Sequence, residues 1–176
     1  YCIFSTAWGY FGFCAEAGRI RQTCLPCEDA TLVEQALLGG RSGEHNCALM
    51  PHVQQLVQAY FLGEPASFSD VSVWDEGATP FCRAVYASLC RVALGHTVSY
   101  SDLACLAGHP GAARAVGSAM AKNPVPLIVP CHRVLSAGGK LGGFSAQGGT
   151  ETKKRLLEHE KAICAHDSIS NSSVAM

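Results

Sequence analysis

The feature that most limits how this chain can fold is a stretch of small residues past its middle. Ser99-Tyr100-Ser101-Asp102-Leu103-Ala104 opens a short helix that ends at Gly108, His109-Pro110-Gly111 turns the chain, and residues 112–121 form a second helix of almost nothing but small side chains. Helix, tight Gly-containing turn, helix is a helix-turn-helix. In such a unit the second helix normally lies in a DNA groove. This one has no Asn, Gln or Glu to read base edges, and its only charge is Arg114. Small residues permit close approach to a surface, and a single projecting Arg suits shape-driven contact in a narrow groove with one side chain inserted. Composition alone leans towards the alternative, an Ala/Gly helix packed closely on another helix.

The rest of the chain sets an α+β order. Residues 1–25 alternate loosely, with turns at Trp8-Gly9 and Ala17-Gly18, and read as two or three short antiparallel strands. Residues 28–38 read as a helix with acids in its first turn and Gly39-Gly40 at its stop; residues 51–62 place Val53, Leu56, Val57, Tyr60 and Phe61 at helical spacing. The polar stretch 65–77 marks a boundary. A further helix is expected over 79–94, with Pro80 at its start and Gly95 at its stop. The expected organisation is a small antiparallel sheet-and-helix domain over 1–68, a helical, winged-helix-like domain with the helix-turn-helix over 78–162, and a flexible tail over 163–176.

At 48% hydrophobic and 15% charged residues the chain has the apolar mass to collapse, which excludes disorder. It has no apolar run long enough for a membrane helix, and residues 1–13 lack the basic start of a signal peptide. Ten cysteines are scattered, several inside apolar runs, which favours free buried thiols in a reducing compartment. Cys24-Leu-Pro-Cys27 has metal or redox spacing, but no second pair follows at a zinc-finger distance, so it reads as structural and no metal is expected. The net charge of −1 hides an asymmetry. Residues 1–79 hold three Lys/Arg against nine Asp/Glu, whereas residues 80–140 hold six against Asp102 alone. Either only the middle meets a polyanion, or this is ordinary surface variation.

After the small-residue helix come Asn123-Pro124-Val125-Pro126 and then Leu127-Ile128-Val129-Pro130-Cys131-His132-Arg133-Val134. The apolar run bounded by prolines reads as a buried strand or extended segment. It delivers a Cys beside a His. A thiol must ionise to attack carbon, a nearby His can take its proton directly or through a water, and a carboxylate can hold that His. Adjacent residues on an extended chain point opposite ways, so the pair alone proves nothing. Its company does more: bracketing prolines, a following Gly-rich loop and a preceding helix-turn-helix.

Pro130-Cys131-His132-Arg133-Val134, together with Ser99-Tyr100, Ala112-Ala113-Arg114-Ala115-Val116-Gly117, Asn123-Pro124 and the closing Leu156-Leu157-Glu158-His159-Glu160, resembles the O6-alkylguanine-DNA alkyltransferase family. The resemblance is close over 79–160 and weaker over 1–78. It implies DNA repair by direct, irreversible, single-turnover transfer of an alkyl group from O6-alkylguanine, and from O4-alkylthymine, to Cys131 after minor-groove binding and base flipping. By the same resemblance His132 is the general base acting through a water, Glu160 orients it, and Asn123 braces the active-site turn. Tyr100 donates to the departing guanine, and Arg114 enters the gap in the base stack. Ala112, Ala113, Ala115 and Gly117 face the groove. Met120, Phe144 and Ser145 line the pocket, with Ser145 on O6, and the carbonyls of Cys131 and Val134 receive the guanine amino group. Phe144 stands where relatives often carry Tyr, and the 146–149 loop is longer than in the vertebrate form. The resemblance implies no cofactor, a monomer whose partner is duplex DNA containing the lesion, no membrane, and a cytoplasmic location, or a nuclear one in a eukaryote. Two other readings are a lesion-binding relative without transfer, disfavoured by the presence of Cys131 and Glu160, and a Cys–His hydrolase, which needs an oxyanion hole.

Overall fold

The structure, a computed structural model, describes residues 1–172, with side chains described through His166. It is an α+β fold with two compact units: Tyr1–Glu76 together with Pro124–Ile128, and Gly77–Asn123 together with the chain from Val129 onward.

The first unit is built on strands β1 (Cys2–Thr6), β2 (Gly9–Glu16) and β3 (Arg19–Cys27), an antiparallel meander with Cys2 opposite Phe13 and Glu16 opposite Arg19. The second hairpin turns through Ala17 and Gly18, both at positive φ (49° and 73°), the pairing a twist-matched two-residue turn requires. Both faces of the sheet are covered. On one, Val33 and Leu37 of helix α1 (Ala30–Leu38) lie so close that a Cβ at Gly12 would fall 2.6 Å from Val33. On the other, Phe11 meets Phe61 of helix α2 (Pro51–Leu62). Cys24 sits in the α1-side core, where burial pushes its thiol up to about 11. The acids expected inside α1's first turn are not there: Asp29 is its cap, accepting from Thr31 N–H.

The division of the chain differs from the contiguous 1–68 and 78–162. An edge strand exposes unpaired backbone groups, and two remote segments serve β3. Ile20 donates to Ser72 O and accepts from Trp74 N–H, which draws in part of the expected linker, with Val71 buried. Thr23 donates from its N–H to Pro124 O and from its hydroxyl to Pro126 O. Residues 125–130 are buried but are not a strand. Pro124, Pro126 and Pro130 have no N–H for a ladder, and Leu127 turns at φ 79°.

In the second unit, Thr79 caps helix α3 (Pro80–Cys90) with its hydroxyl on Cys82 N–H. The helix ends four residues before the expected Leu94. The Gly95 N–H, which a helix to Leu94 would direct to Arg91 O, goes to Glu160 instead, and the carbonyls of Val92 and Leu94 accept from Arg133 and Cys164. Ser99 caps helix α4 (Tyr100–Leu106) through Asp102 N–H, and helix α5 (Ala113–Ala121) follows the turn. Short strands β4 (Val98–Ser99) and β5 (Val134–Leu135) pair in parallel. Helix α6 (Gly149–Ser172) runs through most of what was expected to be a flexible tail from 163. No Gly or Pro interrupts it there, and each added residue gains a hydrogen bond at little cost once the helix exists. Residues 173–176 of that expected tail lie outside the described residues.

Candidate active site

The site begins where α5 ends. Asn123 donates from its side chain to Val129 O at 2.8 Å, clamping together the two ends of the 124–128 excursion. Beyond the clamp the backbone tightens into a 3₁₀ turn at Cys131–Arg133, closed by Cys131 N–H on Val129 O and Arg133 N–H on Pro130 O. A tight turn rather than an extended strand removes the objection that Cys131 and His132 point opposite ways for good. Cys131 is only 6% exposed and lines a cavity of about 360 Å3 with Tyr100, Gly117, Met120, Ala121, Gly143, Phe144 and Ser145. Of the residues expected in the pocket, Met120, Phe144 and Ser145 line this cavity. Val134 does not, and its carbonyl already accepts from Lys153 Nζ at 2.6 Å, although a carbonyl oxygen has a second lone pair.

His132 is fully buried beside Cys131 in sequence. Its Nε2 meets Glu160 Oε1 at 2.7 Å, while Nδ1 has no hydrogen-bond partner among the described residues. Burial lowers the imidazole's pKa against the pull of Glu160, so the ring is neutral. With the Nε2 proton donated to the carboxylate, Nδ1 carries the lone pair and is a proton acceptor. Glu160 is itself fully buried. It takes three contacts from the Arg133 guanidinium at 2.9–3.1 Å and the Gly95 N–H at 3.1 Å. Burial pushes this carboxyl up, but the hydrogen bonds from His132 and Arg133 and the charge of the guanidinium outweigh it and hold the pKa down at about 2.

Burial likewise pushes the Cys131 thiol up, opposed by the hydrogen bond from Asn123, the charge of Lys153 and backbone N–H groups of the turn. Lys153 is fully buried, which pulls its own pKa down. Tyr100 opens α4 on the cavity wall; burial raises its pKa, and a Cys131 thiolate would raise it further.

Arg133 and Lys153 were missed as site residues. Arg133 was legible only as part of a motif. Lys153 falls on one face of α6 with Leu156, Glu160 and Ile163, all buried, at spacings of three and four. That inward stripe was the available signal. The expected groove residues sit on or beside α5. Arg114 and Ala115 are exposed, Ala112, Ala113 and Gly117 are half-buried, and Val116, Ala119 and Met120 turn inward. Small side chains thus lie on the open side of the helix. Among the described residues no group of three or more His, Cys, Asp or Glu is placed to hold a metal ion.

The pattern of the family described as "6-O-methylguanine DNA methyltransferase, DNA binding domain" matches residues 80–162. A protein of Mycobacterium tuberculosis named methylated-DNA–protein-cysteine methyltransferase is 48% identical over 115 residues, 65% of this chain and 67% of that one. Its counterpart in Mycobacterium leprae is 42% identical over 132 residues, 74% of this chain and 77% of that one. The crystal structure of Mycobacterium tuberculosis OGT in complex with DNA superposes with a TM-score of 0.74 at 31% identity, covering 92% of each chain.

Proposed function

The chain belongs to the O6-methylguanine DNA methyltransferase family, and from that premise we propose how its own residues repair alkylated DNA by transferring the alkyl group to Cys131. The observation that carries the assignment is the buried Cys131 on a cavity wall, with a neutral His132 held by an ionised Glu160 next to it.

The Cys131 proton passes to His132 Nδ1, directly or through a water. Glu160 stabilises the resulting imidazolium through Nε2–H. The thiolate attacks the alkyl carbon, a sulfur–carbon bond forms, and the carbon–O6 bond breaks with its electrons going to guanine. Tyr100 supplies a proton or hydrogen bond to that leaving base, and Ser145 contacts O6. The product is a thioether, a poor leaving group, so each molecule acts once.

O6 of guanine is inaccessible in a stacked duplex, so the nucleotide leaves the stack, at a cost of a few kcal/mol. Arg114, exposed on α5, fills the gap. The small residues beside it lie against the minor groove, and a helix without base-reading side chains suits damage with no fixed sequence context. The protein acts as a monomer on duplex DNA.

Incubation with an O6-methylguanine duplex followed by intact-protein and peptide mass should place one methyl on Cys131. A shifted duplex with no change in protein mass would leave a lesion-binding protein instead, and repeated turnover would leave a hydrolase.

A further inference from the structure

Thr23, in the middle of β3, is only 6% exposed and gives both of its donors to the segment that leads to Cys131. Its N–H goes to Pro124 O at 2.9 Å and its hydroxyl to Pro126 O at 2.7 Å. Both acceptors belong to prolines, which have no N–H to give in return. The hydroxyl bond is therefore a side-chain substitute for a ladder bond that the segment's own backbone cannot supply.

The anchored segment runs straight into the catalytic turn at both ends. Asn123 precedes it and Val129 follows it, and the Asn123 side chain joins the two through Val129 O at 2.8 Å. The same Val129 O receives Cys131 N–H at 2.8 Å, a bond that closes the turn. The Asn123 amide also bonds the Cys131 thiol. The linkage is stiff. Proline fixes its own φ and confines the residue before it to extended backbone, and Asn123, Val125 and Val129 each precede a proline. Leu127, next to the Pro126 anchor, is held at φ 79°. A side chain with a Cβ keeps such a conformation only where its surroundings impose it, and the hydroxyl of Thr23 is one of the groups that do so.

We infer that Thr23 is a positioning residue for alkyl transfer: its hydroxyl on Pro126 O holds residues 124–128 so that the Asn123 amide and the Val129 carbonyl set the place of Cys131. The inference rests on the transfer to Cys131 proposed above. It gives the sheet a part in the chemistry that no cavity-lining residue of the sheet could play, because neither Thr23 nor any residue of 124–128 lines the cavity.

The test uses the full chain and a free O6-alkylguanine base, so that docking on DNA does not enter. Single-turnover transfer over a concentration series separates the saturating rate from the half-saturating concentration, and thermal melts run beside it. Thr23→Val keeps the branched shape and removes the hydroxyl. Its saturating rate should fall by about 10- to 100-fold, the scale of a displacement of up to about 1 Å at a reacting group, with the half-saturating concentration near the parent's. Thr23→Ala carries the same expectation should the Val variant fail to fold. Thr23→Ser keeps the hydroxyl and loses a buried methyl, so it should melt lower than the parent yet transfer at the parent's rate. Val33→Ala, in the α1-side core of the same sheet, should also melt lower at the parent's rate. A folded Thr23→Val or Thr23→Ala protein with the parent's saturating rate overturns the inference, as does one that changes only the half-saturating concentration. Thr23→Ser or Val33→Ala proteins as slow as Thr23→Val overturn it too, since rate would then follow the stability of the sheet rather than the hydroxyl bond. A parent that moves no alkyl group to Cys131 refutes the transfer itself; a parent that does so, with Thr23→Val equal to it, refutes only the positioning.

Discussion

Glu160→Gln tests the buried cluster most directly. The carboxylate accepts from the Arg133 guanidinium, His132 Nε2 and the Gly95 N–H, all inside the protein. Gln keeps the shape but removes the charge, and sets an NH2 against donors. Removing one partner of a buried ion pair costs roughly 3–5 kcal/mol, because the other charge is stranded. The carboxyl's titration gives the same scale. Its pKa is held at about 2 against an ordinary 4.5, a difference worth roughly 3–4 kcal/mol at about 1.4 kcal/mol per unit. Because the folded pKa is the depressed one, this stability is fully present above the ordinary pKa of 4.5 and is lost as pH falls towards about 2. For a chain of this size each kcal/mol moves Tm by about 2–4 °C, so the variant should melt roughly 6–20 °C lower at neutral pH. Its acid limb between the two pKa values should be flatter than the parent's. Adding Arg133→Met removes the stranded cation and should recover much of the stability. It should not recover chemistry: the single-turnover rate of the double variant should fall most near neutral pH and partly return as pH rises and the thiol ionises unaided. Calorimetric melts and quenched-flow rates read the two effects separately. A Glu160→Gln protein with the parent's melting temperature, acid limb and pH–rate profile would refute the assignment of Glu160 as the charge that holds Arg133 and His132.

Cys131→Ser should abolish transfer in the mass assay while binding to a lesion duplex in a mobility shift persists; residual transfer would implicate another of the ten thiols. Arg114→Ala should slow single-turnover repair of a duplex far more than transfer from a free O6-alkylguanine base, which needs no unstacking, and equal losses would place Arg114 in the fold or pocket rather than in the gap. Gly142→Ala should slow transfer by up to about 100-fold, the scale of a displacement of about 1 Å at a reacting group, because its Cβ would lie 2.9 Å from Tyr100 Oη and 3.0 Å from Ser136 Oγ.

What the sequence determined by itself is the part whose physics is local. Helix caps act over two or three residues: Thr79 on Cys82 and Ser99 on Asp102 cap where the pattern placed a helix start, and Asp29 on Thr31 caps one residue inside the expected start. The Ala17-Gly18 turn and the α4–turn–α5 unit were legible for the same reason. The string around Cys131 was legible as chemistry because Cys, His and bracketing prolines are adjacent in the chain. The tertiary structure decided what depends on distant partners. Nothing local to Arg133 marks a cation for burial, and for Lys153 only its place on the buried stripe of α6 does, since both types usually lie in water. Arg133 is buried because Glu160 arrives from 27 residues away, and Lys153 because Val134 O receives its ammonium. The end of α3 was set by the same long-range bonds at Val92 and Gly95 rather than by propensity, and the place of residues 124–128 by an edge strand a hundred residues earlier. A cap completes its hydrogen bond with what lies within a turn of it. A buried charge is stable only when chain closure brings its counter-charge, and that pairing is a property of the fold.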